Sequence, residues 1–267
     1  MRRLAIALGG LLLSAVGLLA LGAGAAHAQA TPPTEGPVDI VEVSGLVDDV
    51  VADDLTKAID RAATGGAQAL IVQMNSKGAV VSPARMARLA EAIHDAKVPV
   101  ALWVGPSGSR ALGLTGQLLG AAPVTAMAPA TRIGDFGAPL PVRGFELDFG
   151  NGGDQLRELT MGPTEARERN VLRPTISDQG VPVLRNMLLA IDGLEYRGKT
   201  MNTAEERPAA NGKVEQVLVA EPRFYKLPLL PRLMHTVASP PVTYLLLTIG
   251  LSLALRALER RLRRSSV

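Results

Sequence analysis

The sequence predicts an α/β domain with a mostly parallel sheet. Three observations carry this. Four strand-length apolar runs recur between residues 38 and 128. Amphipathic helical patterns separate them, as parallel strands require of their connections. Caps and Gly or Pro breaks mark the places where one pattern gives way to the next.

Residues 38–43 (VDIVEV) put β-branched residues at alternate positions, which is a strand pattern. A helix follows over residues 50–63, with Val51, Leu55, Ala58, Ile59 and Ala62 on one face. Gly65-Gly66 ends it. Residues 67–74 (AQALIVQM) are the second apolar strand. Ser82 caps the next helix, with Pro83 at its first position. Met86, Leu89, Ala90 and Ile93 give that helix its apolar stripe. Residues 98–104 (VPVALWV) are the third strand, and Trp103, the single Trp, is read as a core residue on it. A Gly/Ser turn, a short helix through Leu118-Leu119 and a fourth strand over 123–128 complete the regular part, residues 38–136. Right-handed crossovers follow from the usual handedness rule. Residues 137–235 read as an irregular extension, Gly- and Pro-rich over 137–211, with 182–191 as its best helix candidate.

The two ends are of another kind. Met1-Arg2-Arg3, an apolar run over 4–21 and Ala26-His27-Ala28 make a secretory signal peptide, residues 1–28. Cleavage after Ala28 leaves 239 residues beginning at Gln29, with 29–37 as a linker. An uncleaved signal anchor is the alternative, because the run is about as long as a spanning helix needs. His27 falls in this segment and has no catalytic meaning. Residues 237–255 contain no charge, and 19 helical residues span roughly 28 Å. Pro240-Pro241 lies near the start of this stretch, and Tyr244 suits its outer interface. An Arg-rich tail, 256–267, follows directly and marks the cytoplasmic side. The expected topology is a single-pass cell-membrane protein, its main domain outside and its C-terminus in the cytoplasm.

Charge supports the same division. The chain carries 28 Lys+Arg against 25 Asp+Glu, and its pI is about 9.4. Residues 1–3 hold +2, residues 256–267 hold +4, and residues 4–255 hold −3. The basic excess therefore sits beside the apolar ends, and the domain itself offers no nucleic-acid surface. With no Cys, disulfides, thiol nucleophiles and thiolate-bound metals are excluded. No GxGxxG follows a strand and no P-loop is present, so nucleotide binding has no support. No cofactor or metal is expected.

The order of motifs resembles the NfeD family, the membrane-bound ClpP-class serine proteases. The matching phrases are Ser44-Gly45-Leu46 after the first strand and Gly66-Ala67-Gln68-Ala69-Leu70 at the second. Asn75-Ser76-Lys77-Gly78-Ala79 stands where the family has Asp-Thr-Pro-Gly-Gly. Val98-Pro99-Val100 precedes Pro106-Ser107-Gly108-Ser109-Arg110-Ala111, which is similar to the family's Pro-x-Gly-x-Arg-Ala. Met127-Ala128-Pro129-Ala130-Thr131-Arg132-Ile133-Gly134 resembles Met-Ala-Pro-x-Thr-x-Ile-Gly, and Ile191-Asp192-Gly193 resembles a late Asp-Gly element. Pro240-Pro241-Val242 and its Leu-rich run resemble the first spanning segment of the long members. The resemblance implies the ClpP/crotonase spiral of ββα units over residues 38–235. It also implies self-association and a partner of stomatin type. The chain stops after one span, without the family's further spanning helices or C-terminal β-barrel, which weakens the stomatin inference.

The family's catalytic groups are not carried over. Its nucleophilic Ser falls on Gly113, which has no side chain to attack with. Its general base is a Lys a few tens of residues later, and no Lys lies between residues 98 and 198 here. At the oxyanion loop Gly78 is kept, and Ala79 replaces the second Gly but retains an amide donor. Ser107 and Ser109 are the alternative nucleophiles, but each needs a base. Only His94 and His235 remain for that role, one at the end of a surface helix and one at the membrane boundary. The simpler reading makes both serines turn residues beside Gly108. Asp135 and Asp148 read as solvated or capping carboxylates rather than a catalytic pair. The expected function is a membrane-anchored ClpP-like domain without peptidase activity, working in binding or assembly at the outer face. The alternatives are an active serine hydrolase with a relocated nucleophile and a crotonase-type acyl binder.

Overall fold

A computed structural model describes residues 33–173, 180–208 and 213–226, and every structural statement below concerns these. The chain opens with a short strand, β1 (Pro33–Thr34), then β2 (Val38–Ser44), helix α1 (Asp49–Thr64) and β3 (Ala69–Asn75). Helix α2 (Pro83–His94), β4 (Val100–Val104), β5 (Arg110–Leu112) and the one-turn helix α3 (Gly113–Gly116) follow. A 3₁₀ turn over Gln117–Ala121 leads to β6 (Val124–Met127) and β7 (Arg132–Gly134). Beyond them lie α4 (Gly153–Glu158), β8 (Thr160–Met161), α5 (Pro163–Glu168) and α6 (Leu184–Ala190). The last strands are β9 (Glu195–Tyr196), β10 (Lys199–Met201), β11 (Ala204–Pro208), β12 (Val214–Leu218) and β13 (Pro222–Tyr225).

The main sheet has the order β13-β2-β3-β4-β6, and every neighbouring pair in it is parallel. Its strands are apolar on both faces because both faces are covered. Val41, Val43, Leu70, Val72, Leu102 and Val104 pack into one core with α1 and α2. Ile40, Ile71, Ala101, Trp103 and Ala126 face the other core, with Met187 and Leu188 of α6. The α1 helix begins at Asp48, whose Oδ1 accepts the Val51 N–H at 2.9 Å. It ends where the Gly65 N–H reaches the Arg61 carbonyl at 2.7 Å. Ser82 and Pro83 start α2 as their residue types require. Trp103 is buried and donates its Nε1–H to the Val181 carbonyl at 2.8 Å.

A second sheet, β5-β7-β8, continues from the carboxyl edge of the first. The joint is at Ser76, whose N–H donates to the Arg110 carbonyl at 2.6 Å and whose carbonyl accepts the Leu112 N–H at 3.1 Å.

Two segments differ from the sequence reading. The linker assigned to 29–37 contains β1, which pairs in parallel with β10. The extension assigned to 137–235 returns to the main sheet, since β13 pairs along β2. Its sequence, PRFY, alternates and is short, so it has no apolar run to announce it. An edge strand needs neither. Both expected membrane segments, 4–21 and 237–255, lie outside the described residues. Among the described residues no helix is long and apolar enough to cross a membrane.

Candidate functional site

Strands β3 and β4 end at loops 76–80 and 105–109, at the same edge of the sheet. The first loop is held by its neighbours: the Val47 N–H donates to the Gly78 carbonyl at 3.1 Å, and the Val80 N–H to the Val47 carbonyl at 2.9 Å. Gly78 adopts φ +142°, outside the range most side chains accept. Ser76 is wholly buried beneath it. Its Oγ donates to the Gly78 carbonyl at 2.8 Å and accepts the Gly78 N–H at 3.2 Å. The Thr115 hydroxyl lies 3.3 Å from the same Oγ.

Gly113 is the first residue of α3, at φ +59°. A Cβ built there would stand 3.8 Å from the Gly78 Cα and 3.8 Å from the Asp135 carbonyl oxygen. The structure thus brings Gly78 and Gly113 face to face, and a Cβ at Gly113 would fit without a clash. Ala79 continues the loop and forms a parallel bridge to Val47. Asp135 is exposed and closes the group at φ +54°.

Behind this edge, Gln117 pins the chain that follows Asp135. Its Nε2 donates to the Phe136 and Ala138 carbonyls at 2.8 and 2.9 Å, and its Oε1 accepts the Leu140 N–H at 2.8 Å. A cleft of about 650 Å³ opens beyond the latch, lined by Phe136, Phe145 and Phe149 and by Glu146 and Asp154. Gly113 is not part of its lining.

The other candidates fall as follows. Ser107 is exposed in its turn, whereas Ser109 is 3% exposed, its N–H bonded to the Pro106 carbonyl at 3.0 Å. His94 ends α2 at the amino edge of the sheet and stacks on Phe145 with ring centroids 3.9 Å apart. It is not brought to either serine. His235 lies outside the described residues. Asp148 is structural: Oδ1 accepts the Gly150 N–H at 2.8 Å, and Oδ2 meets Arg173 at 2.8 Å. Among the described residues no group of three or more His, Asp or Glu could hold a metal ion.

The sequence reading named Gly78, Ala79 and Gly113, and the structure places Gly78 and Gly113 beside each other. It gave no role to Ser76, Thr115 or Gln117. Gln117 did carry a signal, as a lone amide inside the apolar stretch that ends in Leu118-Leu119. A buried amide requires fixed partners, so such a residue marks a latch.

Chemically, the edge brings two glycine backbones together, with the Ser76 and Thr115 hydroxyls buried beside them. The Gly78 amide, the natural donor to a developing oxyanion, is already bonded to Ser76.

No protein-family model matches this chain, and no curated protein matches it. Solved structures do. The 1510-N membrane protease specific for a stomatin homolog from Pyrococcus horikoshii matches at 18% identity and a TM-score of 0.53, over 77% of this chain and 100% of that one. A 1510-N membrane-bound stomatin-specific protease mutant in complex with a substrate peptide matches at 18% identity and a TM-score of 0.54, over 76% of this chain and 98% of that one. This chain therefore has the fold of the stomatin-specific membrane protease, the ClpP-class fold that its order of motifs implied.

Proposed function

We propose that this chain is a membrane-anchored ClpP-like domain that binds a protein segment at the outer face of the membrane without hydrolysing it. The observation that carries the reading is Gly113. It stands at the head of α3, opposite Gly78, where an added Cβ would make only ordinary van der Waals contacts but where glycine supplies no nucleophile. A hydrolase of this class needs a side chain there and a base to activate it. No Lys lies between residues 98 and 198, and His94 is at the opposite edge of the sheet. Leu46, Val80 and Leu159, exposed by 49%, 66% and 58%, give the loops around the site apolar surface suited to a bound segment. The anchor is residues 237–255, supported by their lack of charge and the Arg-rich tail after them. The partner class we favour is a stomatin-type membrane protein, since the solved relatives are specific for one. Self-association is part of the same proposal.

The test is a fluorophosphonate probe on the purified full chain, beside a peptidase assay on a stomatin-derived peptide. The expected result is no labelling and no cleavage, together with measurable peptide binding. Labelling that disappears in Ser107→Ala or Ser109→Ala would overturn the proposal in favour of a relocated nucleophile.

A further inference from the structure

We infer that the outer face of the β5-β7-β8 sheet docks an acidic peptide segment, gripped by Arg110 and Arg132. This goes beyond the proposed function and requires nothing of Gly113. Arg110 and Arg132 are direct partners on neighbouring parallel strands. Residues so paired point to the same side, about 4.8 Å apart at the backbone. Ala111, Ile133 and Met161, on the intervening positions, are fully buried. Both arginines are therefore turned outward, and both are exposed.

Two like charges directly opposite each other weaken a sheet. Several other arginines meet carboxylates: Arg85 meets Asp53, Arg173 meets Asp148 and Arg223 meets Asp39. Among the described residues neither Arg110 nor Arg132 has an ion-pair partner. Between residues 96 and 145 the chain has a single acidic residue, Asp135. Lys77 adds a third exposed cation, one position past the bridge that joins Ser76 to Ala111. Beside Arg132, across the strand pair, Gly162 carries no side chain. The Arg132 Nη1 lies 3.8 Å from where a Gly162 Cβ would be, so the guanidinium rests along open backbone.

A guanidinium fork matches a carboxylate, and two forks side by side match two carboxylates on one extended segment. The cations occupy two rows of the sheet, which a single small anion does not span. An acidic peptide does.

The experiment measures fluorescence anisotropy of a fluorescein-labelled hexaglutamate peptide with the purified full chain. Hexaglutamine is the reference. Variants are Arg110→Ala, Arg132→Ala, their double and Arg110→Lys, each checked for folding by circular dichroism. The expected result is a preference for hexaglutamate that falls between about 50 and 200 mM salt. The double variant loses about tenfold or more in affinity, and Arg110→Lys keeps part of it. Equal binding of the two peptides, or a double variant that binds like the parent, would overturn the inference. So would loss of binding to phosphatidylserine vesicles, or a changed oligomeric state, in the double variant while hexaglutamate binding stays intact. These outcomes are independent of fluorophosphonate labelling, which tests the Gly113 site alone.

Discussion

Gly113→Ser places a hydroxyl at the position that the proposed function reads as a lost nucleophile, and the structure sets both of its consequences. The first is conformational. Gly113 sits at φ +59°, and a side chain in the left-handed region costs about 1–2 kcal/mol. No steric term adds to this, because the new Cβ meets nothing closer than 3.8 Å. At roughly 2–4 °C per kcal/mol for a domain of this size, the melting temperature falls by roughly 2–8 °C. Gly113→Ala has the same cost, which separates the backbone contribution from that of the hydroxyl. The second consequence is chemical. A serine without its base loses on the order of a millionfold in turnover. The variant therefore remains unlabelled by fluorophosphonate and cleaves no peptide. Thermal unfolding by circular dichroism reads the first consequence, and gel fluorescence of the labelled protein reads the second. A destabilisation above about 4 kcal/mol would refute the clash-free fit of a Cβ at Gly113. Rapid labelling of Gly113→Ser would refute the absence of a base. Its loss in a Gly113→Ser, Lys77→Met double variant would then name Lys77, the exposed lysine beside Gly78, as that base.

Other outcomes follow from packing. Arg223→Met strands the buried Asp39 carboxylate, whose Oδ1 now holds the Arg223 Nε at 2.7 Å, and costs about 3–5 kcal/mol in urea unfolding. Adding Asp39→Leu recovers most of that loss, because an apolar pair needs no compensation. The hydrogen bond to Asp39 raises the Arg223 pKa. A raised pKa means the contribution holds below the guanidinium range and is lost only above it. The cost of Arg223→Met is therefore the same at about pH 7 and pH 9. Gln117→Leu leaves the Phe136 and Ala138 carbonyls and the Leu140 N–H without their partner, at roughly 3 kcal/mol or more. Gly134→Ala drives a Cβ into the Leu159 carbonyl oxygen, and backbone cannot yield there. That variant destabilises the domain more than Gly113→Ala does.

The first half of the domain was legible because its signals are local. Asp48 and Ser82 cap, Gly65 stops a helix, and the strands of the main sheet are apolar enough to be seen alone. The second half was not, because its signals are long-range. Strand β13 is four residues whose only recommendation is the partner it meets 184 positions earlier through Arg223 and Asp39. At the candidate site, motif order singled out Gly78 and Gly113 but not that they oppose each other. Their meeting depends on the joint at Ser76, where one sheet hands over to the next. Spacing along the chain carries no trace of that joint. The roles of Ser76 and Thr115 were hidden for a related reason: a hydroxyl gains meaning only from what lies about 3 Å away in space.

Strand polarity has a consequence for where the domain can work. Because β13 runs parallel to β2, the chain climbs towards the edge that carries Gly78 and Gly113 as it leaves the sheet. Two strand spacings, about 10 Å, separate β13 from β3. Ten residues, 227–236, separate the described chain from the proposed anchor in sequence, and ten residues reach at most about 36 Å. If residues 237–255 lie in a bilayer, the tether acts as a short leash fixed on the site's side of the molecule. It confines that edge to a shell a few tens of ångströms deep above the lipid. A client embedded in the same membrane enters that shell by lateral diffusion, whereas a client free in solution must find it in three dimensions.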